Sequence, residues 1–250
     1  MMTNDPIRRS QELMRAELPK KFYAEATVVA EGEGFAVKLD GRPVKTPSRK
    51  PLILPTEAAA EYVRAEWQAQ EKVIDPAKMP MTRLANTIID GVAVNAEAVF
   101  EEIVSYAGND MLFYRAESPE ELVARQSERW GPVLDWMAEE YGARFVLVEG
   151  VMFAEQPTES LEAFRRELAH HRAPFELGAL HVMTTLTGSA LVTLALARGR
   201  LTLDEAWALG NLEEDWTIEL WGHDEEAARR RARRFEDMQA AHSLFVALKR

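Results

Sequence analysis

The hydrophobic period of this chain changes once along its length, and that change decides the fold class. Through the first 55 residues the β-formers Phe22, Tyr23, Thr27, Val28 and Val29 cluster, and Phe35, Val37 and Leu39 alternate with Ala36 and Lys38. Gly32-Glu33-Gly34 separates these two runs. Asp40-Gly41 can supply the positive φ of a tight hairpin before Arg42 to Thr46, and Pro51 to Leu54 reads as a last short strand. Pro55-Thr56-Glu57 then opens a helix that Thr56 can cap, with Ala59, Val63 and Trp67 along one face. After Asp75-Pro76 and Met79-Pro80 the spacing is helical almost to the end. Strands gathered at one end and helices elsewhere predict an α+β protein. We expect a small antiparallel β-rich N-terminal domain, residues 1–90, followed by a mainly helical C-terminal domain, residues 91–250, built as an orthogonal bundle. No flexible linker intervenes, so the two parts should pack on each other.

Within the helical part, the spacing predicts helices over Thr82 to Val92 and Ala96 to Ala107. A third begins at Ser118-Pro119-Glu120-Glu121, with Pro119 at the first helical position. Its apolar stripe is Leu122, Trp130, Val133, Leu134, Met137 and Tyr141, and Gly142 ends it. Arg144 to Val148 reads as one isolated strand. Pro157-Thr158-Glu159 opens a helix reaching about His171, and three more occupy 174–198, 202–221 and 224–248. The stretch Phe175 to Ala197 is long and apolar, yet Glu176, His181, Thr184, Thr185, Thr187, Ser189 and Thr193 would be costly in hydrocarbon. It is expected to be a central buried helix, with Gly178, Gly188, Ser189 and Ala190 admitting close neighbours, and no membrane insertion is expected.

Composition narrows the chemistry. With 47% hydrophobic residues in 250 the chain has the means to form a core, and a net charge of -11 repels a phosphate backbone, so nucleic acid is not an expected partner. The absence of cysteine removes disulfides, thiol nucleophiles and cysteine-based metal sites. Arg8, Arg9 and Arg15 are interleaved with Asp5, Glu12 and Glu17 and no apolar run follows, so neither a signal nor a transit peptide is read there and a cytoplasmic location is expected. Neither G-x-G-x-x-G nor G-x-x-x-x-G-K-S/T occurs. None of the five histidines has H-E-x-x-H spacing; His170 and His171 read as exposed polar positions, and no metal or cofactor is expected. Ser189, in Thr187-Gly188-Ser189-Ala190, lacks the second glycine of a nucleophile elbow and suits close helix packing.

One segment combines carboxylates with large apolar groups. Glu213, Glu214, Asp215 and Glu219 cluster between Trp207 and Trp221, and Asp215 and Glu219 share a helix face. Glu214, Asp215 and Glu219 could act as an acid–base set, a reading that asks for a concave pocket and is disfavoured by a flat or convex ridge. The same helix spaces Leu212, Trp216 and Leu220 four residues apart with Trp221 beside them, which is either an exposed apolar ridge bordered by acids or part of the core. Downstream, Arg229, Arg230, Arg231, Arg233 and Arg234 follow Glu225 and Glu226 at helix ion-pair spacing, so they read as a solvated face rather than an RNA-binding strip. With no catalytic set, the residues point to a protein that binds another protein.

Several strings are diagnostic together: Phe35-Ala-Val-Lys-Leu-Asp-Gly-Arg-Pro-Val-Lys-Thr-Pro47, Glu66-Trp67, Thr82-Arg-Leu-Ala-Asn-Thr87, Tyr106-Ala-Gly-Asn-Asp110, Tyr114-Arg-Ala-Glu117, Leu186-Thr-Gly-Ser189 and Glu213-Glu-Asp-Trp-Thr-Ile-Glu-Leu-Trp-Gly222. In this order, over residues 20 to 245, they resemble the assembly chaperones of the F1-ATPase α subunit, found in mitochondria and related bacteria. The resemblance implies a β-rich N-terminal and a helical C-terminal domain, no cofactor, no turnover, and a role in holding the unassembled α subunit until the β subunit replaces it. It implies partner-binding importance for Trp67, Glu214, Asp215, Trp216, Glu219 and Trp221, with Trp67 better suited to holding its helix on the sheet than to direct contact. Thr217 and Leu220 stand where longer polar residues are expected in relatives, which makes this ridge more apolar. The location implied is the bacterial cytoplasm, or the mitochondrial matrix in a eukaryote.

Overall fold

The computed structural model describes residues 18–150 and 152–249. The N-terminal arginines, and the targeting question they raise, lie outside the described residues.

Strand β1 (Ala26–Glu31) and strand β2 (Gly34–Leu39) form the antiparallel hairpin that the period-2 pattern predicts, in register from Ala26 opposite Leu39 to Glu31 opposite Gly34. The other edge of β2 carries two short antiparallel partners, β3 (Arg42–Pro43) and β4 (Ile53–Leu54), both shorter than expected. Helix α1 (Glu57–Gln68) covers the sheet with Ala59, Ala60 and Val63, and the Thr56 hydroxyl accepts from the Ala59 amide at 3.2 Å as the expected cap. Tyr23 packs edge-on against Trp67 and donates its hydroxyl to the Trp67 carbonyl at 2.7 Å.

Helix α2 (Pro80–Asp90) gets no cap from its own Met79. The Glu66 carboxylate of α1 does that work through space, accepting from the amides of Met81 at 2.6 Å and Thr82 at 2.7 Å and from the Thr82 hydroxyl at 2.7 Å. A negative charge there also meets the positive end of the helix dipole. Burial pushes the Glu66 carboxyl up against the opposing pull of these bonds. Sheet and helices are then stitched together. Asp90 accepts from the Thr46 hydroxyl at 2.8 Å, Lys50 donates to the Ile89 carbonyl at 3.0 Å, and Thr56 donates to the Ala247 carbonyl at 3.0 Å.

Next come α3 (Ala96–Gly108), β5 (Tyr114–Arg115), α4 (Glu120–Tyr141) and β6 (Val148–Glu149), with β5 and β6 paired in parallel. Two expectations change here. Pro119 is the N-cap of α4, one residue before the first helical position. Of the strand read over Arg144 to Val148 only Val148 is in the ladder, because the Gln156 side chain takes the place of a strand partner: it accepts from the Val146 amide at 2.8 Å and donates to the Val146 carbonyl at 3.1 Å.

The rest is helical: α5 (Thr158–Leu168), α6 (Pro174–Thr187), α7 (Ala190–Ala197), α8 (Leu203–Gly210), α9 (Leu212–Trp221) and α10 (Glu225–Ala247). Two helices read as continuous are each broken in two. Between α6 and α7, Gly188 adopts a left-handed φ of 71° and the Ser189 hydroxyl starts a new helix by accepting from the Val192 amide at 3.0 Å. Between α8 and α9 the break is at Asn211. All eight residues of α7 are buried, and Gly178 of α6 meets Ile88 of α2 at close range, so the central-helix reading holds in this divided form. Among the described residues no helix is long and apolar enough to cross a membrane. His171 corrects an expectation: α5 ends in a 3-10 turn that turns this side chain inward against Phe245, 3.0 Å from the Glu176 carboxylate, and burial pushes its pKa down.

Candidate functional site

Most of the diagnostic strings are internal joints. The Glu66 string caps the helix that carries the Thr82 string. Likewise Asp110, fully buried at the end of its string, accepts from the Ser189 hydroxyl at 2.9 Å, the Leu191 amide at 3.0 Å and the Leu112 amide at 3.1 Å. This ties α3 to the start of α7, and burial outweighs these bonds enough to push the Asp110 carboxyl up to about 6. Ser189 is thus engaged as donor and as cap rather than as a nucleophile. Buried Arg115 lies over the Trp130 ring at 5.2 Å and donates to the Gln126 carbonyl at 2.6 Å.

The string Glu213 to Gly222 behaves differently, because it forms α9 and α9 buries only Leu212. The expected stripe Leu212, Trp216, Leu220 therefore runs from core to solvent. Trp216 is half-buried, Leu220 is 57% exposed and Trp221 is 84% exposed. Polar contacts hold α9 in place. Gln126 donates to Glu213 at 2.7 Å, and Arg125 of α4 grips both oxygens of Glu219 at 2.8 Å while its guanidinium covers the Trp216 ring at 4.8 Å. On the other side Asp215 meets Arg231 of α10 at 2.5 Å. Glu214, Asp215, Trp216, Glu219 and Trp221 thus share one short helix, whereas Trp67 stands apart in α1 against Tyr23.

Helix α9 separates two concavities. A groove of about 880 Å³ lies toward α4 and α8, bordered by Arg125, Arg129, Asp215 and Glu219 over Val133, Leu209 and Leu212. A cleft of about 620 Å³ lies toward α10, floored by Trp207, Ile218 and Phe235. The concavity asked of an acid–base set is present, and two of its three carboxylates are engaged by arginines. Arg125 holds the Glu219 carboxyl below its ordinary value, the reverse of a general acid kept protonated, and Asp215 is ion-paired with Arg231. Among the described residues no group of three or more histidine and acidic side chains could hold a metal ion. The arginine run of α10 is largely paired within the chain: Arg229 with Glu225 at 2.9 Å, Arg230 with Glu226 at 3.7 Å, and Arg234 donating to the Leu186 carbonyl at 2.8 Å. The clasping residues Arg125, Gln126 and Arg231 carry no local sequence signal, since their partners are brought to them only by the fold.

The ATP12 chaperone protein family matches residues 20–138. The chain is similar to the crystal structure of Atp12 from Paracoccus denitrificans, at 41% identity and a TM-score of 0.85, covering 92% of this chain and 98% of that one. The chain belongs to the ATP12 chaperone family. ATP12 chaperones act in the assembly of ATP synthase, and the small antiparallel sheet followed by helices is their fold. The Atu1473 protein of Agrobacterium tumefaciens is similar at 52% identity and a TM-score of 0.90, over 98% of this chain and 92% of its own. The mitochondrial protein atp12 of Schizosaccharomyces pombe is 26% identical over 214 residues, 81% of this chain and 73% of that protein. The family match at residues 20–138 ends within α4, so α9 enters the likeness through the whole-chain structures.

Proposed function

We propose that this ATP12 chaperone binds the unassembled α subunit of F1, covers its apolar interface, and yields it to the β subunit, using α9 as the principal contact. The observation that carries this reading is the exposure of Leu220 and Trp221 on a helix whose other features are acidic. Large apolar groups left in water at one place mark an interaction surface, and tryptophan is the side chain most often found at the energetic centre of an interface. An obligate subunit interface without its partner aggregates unless it is covered reversibly. The acids Glu213, Glu214, Asp215 and Glu219 around the apolar tip would steer a basic client surface and set its register. On this reading Trp67 acts indirectly, by seating α1 on the sheet. The part up to residue 90 is a supporting domain and the part from 91 carries the contact. The protein works by binding, without turnover, where F1 is assembled: the bacterial cytoplasm, or the mitochondrial matrix in a eukaryote.

The test is capture of the α subunit by tagged protein in the native host, together with suppression of aggregation of isolated α. Leu220→Ala with Trp221→Ala should cost about 2 kcal/mol or more of binding, roughly thirtyfold in Kd, as expected for a hot-spot tryptophan. Wild-type protein that never retains α, or a double variant that retains it equally well, refutes the reading.

A further inference from the structure

The Leu220 and Trp221 tip leaves the neighbouring cleft between α9 and α10 unexplained. Gly222, at φ 86°, turns the chain so that α10 folds back beside α9. The first fully buried side chain of α10 is Met238, and over residues 225–237, about 20 Å of helix at 1.5 Å per residue, Phe235 is the side chain that packs against the core, on the Trp207 ring. Between this overhang and α9 lies the 620 Å³ cleft, a size that suits several apolar side chains. Its walls are Trp207, Ile218, Ala228, Ala232 and Phe235. Its border carries the carboxylates Glu214, Asp215 and Asp224 against the guanidinium of Arg231, which Asp215 already engages at 2.5 Å, and that of Arg234, which lies over the Trp207 ring at 5.7 Å and donates to the Leu186 carbonyl. An apolar floor with a net acidic border is complementary to apolar side chains flanked by lysine or arginine.

We propose that this cleft is a second docking site, which receives an amphipathic, basic-flanked segment of the client, its apolar side chains seated against Ile218, Ala228 and Phe235. This rests on the α-subunit reading above and adds to it: the client is gripped on both sides of α9, at the tip and in the cleft. The small side chains at 228 and 232 are what keep the space open, and both positions are exposed, so they can be enlarged without disturbing the core.

The experiment fills the cleft. Ala228→Phe, and separately Ala232→Leu, are titrated against isolated α subunit beside wild type and Arg233→Phe, which places the same aromatic side chain on the same helix at a position that does not line the cleft. Circular dichroism melts confirm that each variant folds. Both filled variants should raise Kd tenfold or more, Arg233→Phe less than twofold, and added salt should weaken the wild-type complex because the border contacts are charged. Binding by both filled variants within twofold of wild type overturns the cleft while leaving the α-subunit reading intact. Failure of wild type to bind α at all overturns that reading and the cleft with it. Self-association of wild type that Ala228→Phe abolishes would assign the cleft to a second copy of the chain and equally overturn the proposal.

Discussion

Gly178 offers a sharp test of the packing described for α6, because two well-measured effects oppose each other there. A Cβ added at this position would stand 2.5 Å from Ile88 Cγ1 and 2.9 Å from its Cδ1. Ordinary carbon contacts are about 3.5–4 Å, and Ile88 is fully buried, so it has no free space to turn into. Alanine is favoured over glycine in a helix interior by about 1 kcal/mol. Overpacking a tight core costs about 1–3 kcal/mol, so in the native background packing should win and Gly178→Ala should destabilise by up to about 2 kcal/mol. Ile88→Ala costs about 2–5 kcal/mol by itself but removes both obstructing atoms. In that background Gly178→Ala should reverse sign and stabilise by about 1 kcal/mol. Urea unfolding of the four proteins, with the slope unchanged, gives the double-mutant cycle directly. If alanine at 178 has the same sign and size in both backgrounds, the close approach of α6 to α2 is not what the glycine serves.

Asp110 has a raised folded-state pKa, so the fold prefers its neutral form; its contribution is complete below the unfolded value near 3.8 and is lost as pH rises through about 6. The stability difference between wild type and Asp110→Asn should therefore change by about 2 kcal/mol between pH 4 and 7, on the linkage of about 1.4 kcal/mol per pKa unit; denaturant midpoints that move in parallel across that range would contradict it. Arg125→Ala breaks a solvent-exposed pair with Glu219, so Tm should hardly change and the small effect should vanish in high salt. A large, salt-independent loss would show that Arg125 instead secures α9 through Trp216.

The division between sheet and helices is legible in the sequence because period 2 and period 3.6 are local properties, and Thr56 caps α1 as its position foretells. What escapes reading is wherever a distant residue intervenes. Helix α2 starts at Pro80 because Glu66 reaches across to it. The break between α6 and α7 is completed by Asp110, 79 residues before Ser189. Gln156 replaces a strand partner for Val146, and His171 is turned inward by the 3-10 end of α5. The candidate site follows the same rule. The composition of α9 is visible in the string Glu213 to Gly222, but the covering of the Trp216 ring comes from Arg125, which lies 94 residues from the Glu219 that it grips.

The clasping of α9 has a consequence for how such a chaperone lets go. The helix is tethered at Asn211 and Gly222, held by Arg125 from one side and by Arg231 from the other, and so acts as a braced strut. A surface braced in this way has little freedom left to lose when a client settles on it, so contact costs little ordering entropy. Release of a client from a strut of this kind would be competitive. On the proposed α-subunit reading the complex would last as long as its own dissociation rate allows, and an incoming subunit would win by covering the same apolar surface more extensively.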